Sequence, residues 1–337
     1  MLSLQPNPKD MKNLVAGFSK QLKEAIDIGT KAKLTSPSSE ISHVLICGLG
    51  GSGIGGSIVS ELVAPEATVP LNISKGYFIP AYVTDHTLVI ISSYSGNTEE
   101  TLQCMEMAME KKAKIVCITS GGKVAEIAAE KKFDVILVPG GMPPRSCLGY
   151  SLTQLLFILQ FNKLISTAAL DGLEKAIQLI DTDEDNIRKE AAAISQRLLG
   201  KLPVIYATTL FEGVAIRFRQ QLNENSKVLC WHHVIPEMNH NELVGWREKN
   251  ENIAVILFRD TDEYERNNVR IEINKSVISQ YTSNITEIWS KGKTMAEKMI
   301  YFIHLGDWIS IELAEKRGYD ASEIDVINSL KSELSKL

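Results

Sequence analysis

Short apolar runs alternate with amphipathic stretches along most of the chain. In the first half the runs are His43–Cys47, Val69–Ile73, Thr87–Ile91, Lys114–Ile118 and Asp134–Val138. Runs that are apolar on both faces and separated by helices predict a parallel sheet covered on both sides. An amphipathic helix with Met11, Leu14, Val15, Phe18, Leu22 and Ile26 on one face precedes them. Helices alone follow, over Leu152–Leu164 and Asp185–Leu199, and then the alternation restarts with runs at Leu202–Ala207, Val228–Trp231, Ile253–Phe258 and Ile285–Trp289. The pattern predicts an α/β chain of two doubly wound parallel-sheet domains, each a three-layer αβα unit, over residues 1–153 and 154–337. Thr294–Arg317 is apolar around most of its circumference. A buried C-terminal helix is expected there, between domains or subunits and stopped by Gly318.

The turn after the third run reads Ser92-Ser-Tyr-Ser-Gly-Asn-Thr98 and leads into Glu99-Glu-Thr-Leu-Gln. A strand that ends in a hydroxyl-rich turn and opens a helix offers an anion free backbone N–H groups and the positive dipole end. Ser93, Ser95 and Thr98 add hydroxyl donors, and Gly96 permits close approach of the backbone. The turn lacks the lysine of a nucleoside triphosphate loop, so it suits a small phosphate monoester. A plain helix cap by Thr98 is the alternative reading.

A second turn, Gly48-Leu-Gly-Gly-Ser-Gly-Ile-Gly-Gly56, satisfies GxGxxG twice. No acid follows at the end of the second run, where a dinucleotide ribose would need one, although Lys75 leaves a 2′-phosphate open. Substrate contact by Gly51 and Ser52 is the favoured reading. Both turns open at the C-terminal edge of one parallel sheet, where ligands of such sheets bind. Pro139–Arg145 brings an arginine to the same edge, where a guanidinium stabilises a developing oxyanion. Glu224 closes a helix, and the negative dipole end there favours uptake of a proton, as a general base requires. His240 lies between two asparagines in a polar turn. The adjacent His232 and His233 suit no single metal ion, and His43, His86 and His304 read as structural, so no metal site and no cofactor is assigned.

Lys+Arg is 36 against Asp+Glu 41, a net charge of −5, with no basic run. Nucleic acid is not an expected partner. Cys47, Cys104, Cys117, Cys147 and Cys230 share no CxxC spacing and read as thiols of a reducing compartment. The N-terminus shows no apolar signal core and no segment approaches a membrane span, so a cytoplasmic protein without membrane contact is expected.

Taken in order, Gly48–Gly56, Ser92–Thr101, Pro139–Arg145, Glu224–Lys227, Pro236–Trp246, Leu305–Ser310 and Ile327–Lys331 resemble the bifunctional phosphoglucose/phosphomannose isomerases of the sugar isomerase (SIS) domain superfamily. The resemblance spans nearly the whole chain. It implies two SIS domains, a homodimer with a shared active site, and reversible aldose–ketose isomerisation of hexose 6-phosphates in carbohydrate metabolism. Carried over residue by residue, Ser93, Ser95 and Thr98 hold the phosphate while Gly51 and Ser52 contact the sugar. Glu224 moves a proton between C1 and C2 through a cis-enediol, and Arg145 stabilises the enediolate. His240, from the neighbouring subunit, opens the ring with help from Lys331. The chain departs from the family pattern at Gly53, where Ala is frequent, at Ser57, where Asp is frequent, and at Ala321, where Pro is frequent. A sugar-phosphate-binding regulator without activity is the alternative; it usually adds a DNA-binding helix-turn-helix, whereas residues 1–40 read as one helix, not three, and the chain is acidic.

Overall fold

The computed structural model describes residues 10–334 and residue 336. Residues 1–9, which carried most of the expectation about a signal segment, lie outside them. The chain divides into two compact units. One comprises Ala16–Thr182 with Lys291–Tyr301; the other comprises the described residues up to Val15, Asp183–Ser290 and the residues from Phe302 onward.

The elements in chain order begin with α1 (Met11–Ala16), α2 (Phe18–Lys31), β1 (His43–Cys47), α3 (Gly50–Val63), β2 (Leu71–Ser74), β3 (Thr87–Ser92) and α4 (Glu99–Glu110). They continue with β4 (Lys114–Thr119), α5 (Gly122–Lys131), β5 (Asp134–Leu137), α6 (Leu148–Phe161) and α7 (Ala168–Leu198). β1 to β5 form one parallel sheet in the order β2-β1-β3-β4-β5. Side chains alternate across its pleat. Leu45, Cys47, Val89, Ile91, Ile115 and Cys117 face one way and pack with Cys104, Met105 and Ala108 of α4 and with Val124 and Ala128 of α5. The intervening Val44, Ile46, Leu88, Ile90, Val116 and Ile118 are buried as well, which is why these runs are apolar at every position.

The other unit adds β6 (Leu202–Thr208), α8 (Glu212–Glu224), β7 (Trp231–Ile235), β8 (Ile253–Arg259), α9 (Glu265–Ile278), β9 (Ile285–Trp289), α10 (Met295–Arg317) and α11 (Asp325–Leu334). Its four strands are also all parallel, ordered β7-β6-β8-β9. The expected C-terminal helix is α10. Trp308, Ile309 and Leu313 in it are fully buried, and Gly318 follows at φ +72°.

Three expectations shift. The run Val228–Trp231 is not the strand; pairing begins at Trp231, opposite Val204, and extends through His232 and His233. β7 is an edge strand, so polar residues are tolerated there, and the sequence pattern placed it too early. Leu229 in the preceding link is 83% exposed. The opening helix divides at Gly17 into α1 and α2. The expected boundary at 153/154 falls inside α6, and residues up to Thr182 pack with the first sheet. The α6 segment is held there by polar contacts to α2. Gln21 donates to the Ser146 carbonyl (2.7 Å) and accepts from the Gly149 amide (2.8 Å), and Gln154 donates to the Ala25 carbonyl (2.7 Å).

α8 and α10 meet along a buried polar seam. Arg217 and Asp307 pair at 2.8 Å with their side chains 2% and 6% exposed. Removing one partner of such a pair strands the other charge. Asp307→Ala is expected to lower the unfolding free energy in urea by about 3–5 kcal/mol, and Asp307→Asn by less. An alanine variant as stable as the parent chain would contradict this reading of the seam.

Candidate active site

β1, β3, β4 and β5 of the first sheet end side by side, and the turns that leave them are interlocked. In the turn after β3, Ser93 is buried and its hydroxyl donates to Thr98 Oγ1 at 3.1 Å. Thr98 is the N-cap residue of α4 by position, but its side chain makes no capping bond. The plain cap reading therefore does not account for these hydroxyls. Ser95 is exposed and accepts from the Asn97 amide at 3.3 Å. Gly96 has φ +69°, and a Cβ there would stand 1.8 Å from the Gly121 carbonyl, so the turn closes only with glycine. The α4 N-terminus thus carries free amides and three hydroxyls at one edge, the arrangement an anion needs.

Tyr94, inside this turn, organises its neighbours. Its amide donates to Ser52 Oγ (3.2 Å), and its carbonyl accepts from both the amide and the hydroxyl of Ser120 (3.0 and 2.7 Å). Its phenol donates to the Pro139 carbonyl (2.8 Å) and accepts from the Met142 amide (3.3 Å). Burial pushes this phenol's pKa up, so it stays a donor at neutral pH. One residue thereby joins the glycine turn, the turn after β4 and the loop leading to Arg145.

That loop ends in a 3₁₀ turn, Pro144–Ser146, in which Arg145 is 4% exposed. A Cβ on Gly51 would lie 2.7 Å from the Pro144 carbonyl. Gly51, Ser52, Ser93, Thr98 and Arg145 are therefore brought together within one unit. Two of the three family departures, Gly53 and Ser57, lie on the same helix as Gly51 and Ser52. Gly53 sits so close to Gly48 that a Cβ would stand 2.3 Å from its carbonyl oxygen, and Ser57 accepts from Lys75 Nζ at 3.0 Å. Lys75, considered for a 2′-phosphate, thus meets the first glycine-turn helix.

The other expected residues stand on three separate elements of the second unit. Glu224 is the last residue of α8 and is half-buried. The three residues after it are strongly held. Asn225 donates to Ser310 Oγ (2.9 Å), Ser226 Oγ donates to the Ser310 carbonyl (2.7 Å), and Lys227 adopts φ +55° with its ammonium on the Glu224 and Glu323 carbonyls. α8 therefore ends at one place along α10, and Glu224 with it. His240 is exposed, at the end of a 3₁₀ turn (Glu237–His240) after β7. Lys331 is exposed on α11.

Tyr94, Ser120 and Asn97, whose carboxamide oxygen accepts from the Lys123 amide at 3.0 Å, were not singled out from sequence. Only Tyr94 carried a signal, an aromatic residue inside a run of small hydroxyl residues. Among the described residues no group of three or more His, Cys, Asp or Glu side chains is arranged for a metal, and no helix is long and apolar enough to cross a membrane.

Residues 187–334 match the family described as bacterial phospho-glucose isomerase C-terminal SIS domain. A bifunctional phosphoglucose/phosphomannose isomerase from Caldicellulosiruptor bescii is 35% identical over 334 residues, covering 96% of this chain and 98% of its own. A D-glucosamine-6-phosphate 4-epimerase from Sulfolobus acidocaldarius is 30% identical over 295 residues, covering 86% of this chain and 88% of its own. The C-terminal domain of glucosamine-fructose-6-phosphate aminotransferase from Francisella tularensis shares the fold, with a TM-score of 0.72 at 16% identity over 93% of this chain and 98% of that one. With a relative this similar along its whole length, and with the SIS match over the second half, the chain belongs to the bifunctional phosphoglucose/phosphomannose isomerase family.

Proposed function

We propose that the chain interconverts glucose 6-phosphate and mannose 6-phosphate with fructose 6-phosphate. The observation that carries this is the convergence of Ser52, Ser93, Thr98 and Arg145 on turns joined by Tyr94 at one sheet edge. Ser93, Ser95 and Thr98 take the 6-phosphate, and Gly51 and Ser52 meet the sugar. His240, helped by Lys331, opens the ring: the C1 hydroxyl loses its proton, the C1–O5 bond breaks, and O5 gains a proton. Glu224 then takes the proton from C2 and returns it to C1, a second proton passes from the O2 hydroxyl to O1, and Arg145 stabilises the enediolate oxygen in between. The enediol is planar at C2, so the two aldose epimers reach a common intermediate.

The same reading includes a homodimer that shares its active sites. The exposed apolar stripe Val326, Leu330 and Leu334 on α11 and the exposed Val244 beside the His240 turn support it, since such faces mark association surfaces. Free thiols, four of the five buried, fit a cytoplasmic setting.

Replacing Ser93, Ser95 and Thr98 together by Ala is expected to raise the Michaelis constant for every 6-phosphorylated sugar in parallel; unchanged constants would remove these residues from the phosphate site. Glu224→Gln is expected to lose isomerisation by about three or more powers of ten with substrate still bound. Retained exchange of solvent deuterium into substrate in that variant would remove Glu224 as the base. If the site is shared, mixing Glu224→Gln with His240→Ala should form heterodimers with one intact site and recover part of the activity. Proven heterodimers without recovery would place both residues on one subunit.

A further inference from the structure

The turn that carries His240 is held on both sides. Before the histidine, Met238 is fully buried among Tyr206, Ile235, Trp246 and Leu257, and Asn239 Nδ2 donates to Asn274 Oδ1 at 2.6 Å. After it, Glu242 opens a second 3₁₀ turn, Glu242–Gly245, whose first amide donates to Asn241 Oδ1. The Glu242 carboxylate then reaches back to the sheet. Its Oε1 accepts from the phenol of Tyr206 in β6 and from Trp231 Nε1 in β7 (3.1 Å). Trp246 Nε1 closes the group by donating to Tyr206 Oη at 3.2 Å.

Tyr206 is fully buried on a strand interior to the sheet. Burial and the adjacent carboxylate push its pKa up, so the phenol remains the donor to Glu242. A buried phenol with a partly exposed carboxylate is a directional contact. It sets where the turn ends, and with Met238 setting where it begins, the backbone of residues 239–241 has little freedom. A cavity of about 440 Å³, lined by Trp231, Glu242, Gly245, Trp246 and Arg247, lies on the outer side of the group. Changes at Glu242 therefore meet open space rather than a packed core.

We propose that Tyr206 and Glu242 are positioning residues for ring opening. Through Trp231 and Trp246 they hold the turn that presents His240. This rests on the assignment of ring opening to His240.

Enzyme-catalysed interconversion of the α and β anomers of glucose 6-phosphate isolates the step, because it needs ring opening and closure and no proton transfer between carbons. It is measured by NMR exchange spectroscopy on the full chain, beside the affinity for 5-phosphoarabinonate, an open-chain acid that needs no ring opening. Tyr206→Phe and Glu242→Leu are expected to slow anomerisation by about 10- to 100-fold, the scale of a displaced catalytic group, with affinity for 5-phosphoarabinonate unchanged. Glu242→Gln, whose carboxamide oxygen still accepts from the phenol and the indole, is expected to stay close to the parent rate. Should Tyr206→Phe fail to fold, Glu242→Leu and Trp231→Phe carry the same expectation. Parent-like anomerisation in these variants, with His240→Ala defective, would overturn the positioning role and leave the assignment of His240 standing. An equal loss of anomerisation and of 5-phosphoarabinonate affinity would overturn it in favour of a general structural role. Parent-like anomerisation in His240→Ala would remove the assignment itself and the proposal with it.

Discussion

Parallel strands cannot be joined by hairpins; each must cross back through a helix or a long loop before the next begins. Within each sheet of this chain every strand consequently ends at one edge, and the turns that hold Ser52, Ser93 and Arg145 are strand-to-helix or strand-to-loop junctions. That constraint gathers at one edge residues as far apart in sequence as Ser52, Ser93, Ser120 and Arg145. It also leaves each turn with unpaired backbone groups, which is what makes such an edge receptive to an anion.

Placement at an edge is coarse, and polar contacts refine it. Tyr94 ties three turns of the first sheet through five hydrogen bonds, so the hydroxyl-rich turn and the arginine loop are set by the same residue. In the second unit Ser310 of α10 receives both Asn225 and Ser226, and Asp307 one turn earlier receives Arg217. The proposed general base thus stands at the end of a helix whose axial position is dictated by the buried helix it packs on. Precision of this kind matters because proton transfer demands hydrogen-bond distance to two adjacent carbons.

The two-sheet α/β plan was legible because strands buried on both faces leave few polar interruptions: β1 and β8 begin where the runs predict them, at His43 and Ile253. β7 was misplaced for the opposite reason. An edge strand with His232 and His233 has no apolar signature, while the link Val228–Cys230, with Val228 buried and Leu229 exposed, has one. The boundary near residue 153 was equally illegible, since α6 is apolar all round and nothing local says which sheet it covers. The candidate site was readable in its donors, Ser93, Ser95, Thr98, Gly51, Ser52 and Arg145, because each lies in a turn of unusual composition. The contacts that aim those donors were not. Tyr94, which aims them, reaches Ser52, Ser120 and Pro139 across 26 or more residues, and Tyr206 reaches Glu242 beside the His240 turn across 36, where no spacing rule applies.

The central claim is that one enediol chemistry serves both aldoses, and the parent enzyme in D₂O tests it most directly. Followed by NMR, glucose 6-phosphate and mannose 6-phosphate should each yield fructose 6-phosphate carrying solvent deuterium at C1. Failure of both to yield the ketose, or an epimer changed at C4 with C1 and C2 unlabelled, would contradict it.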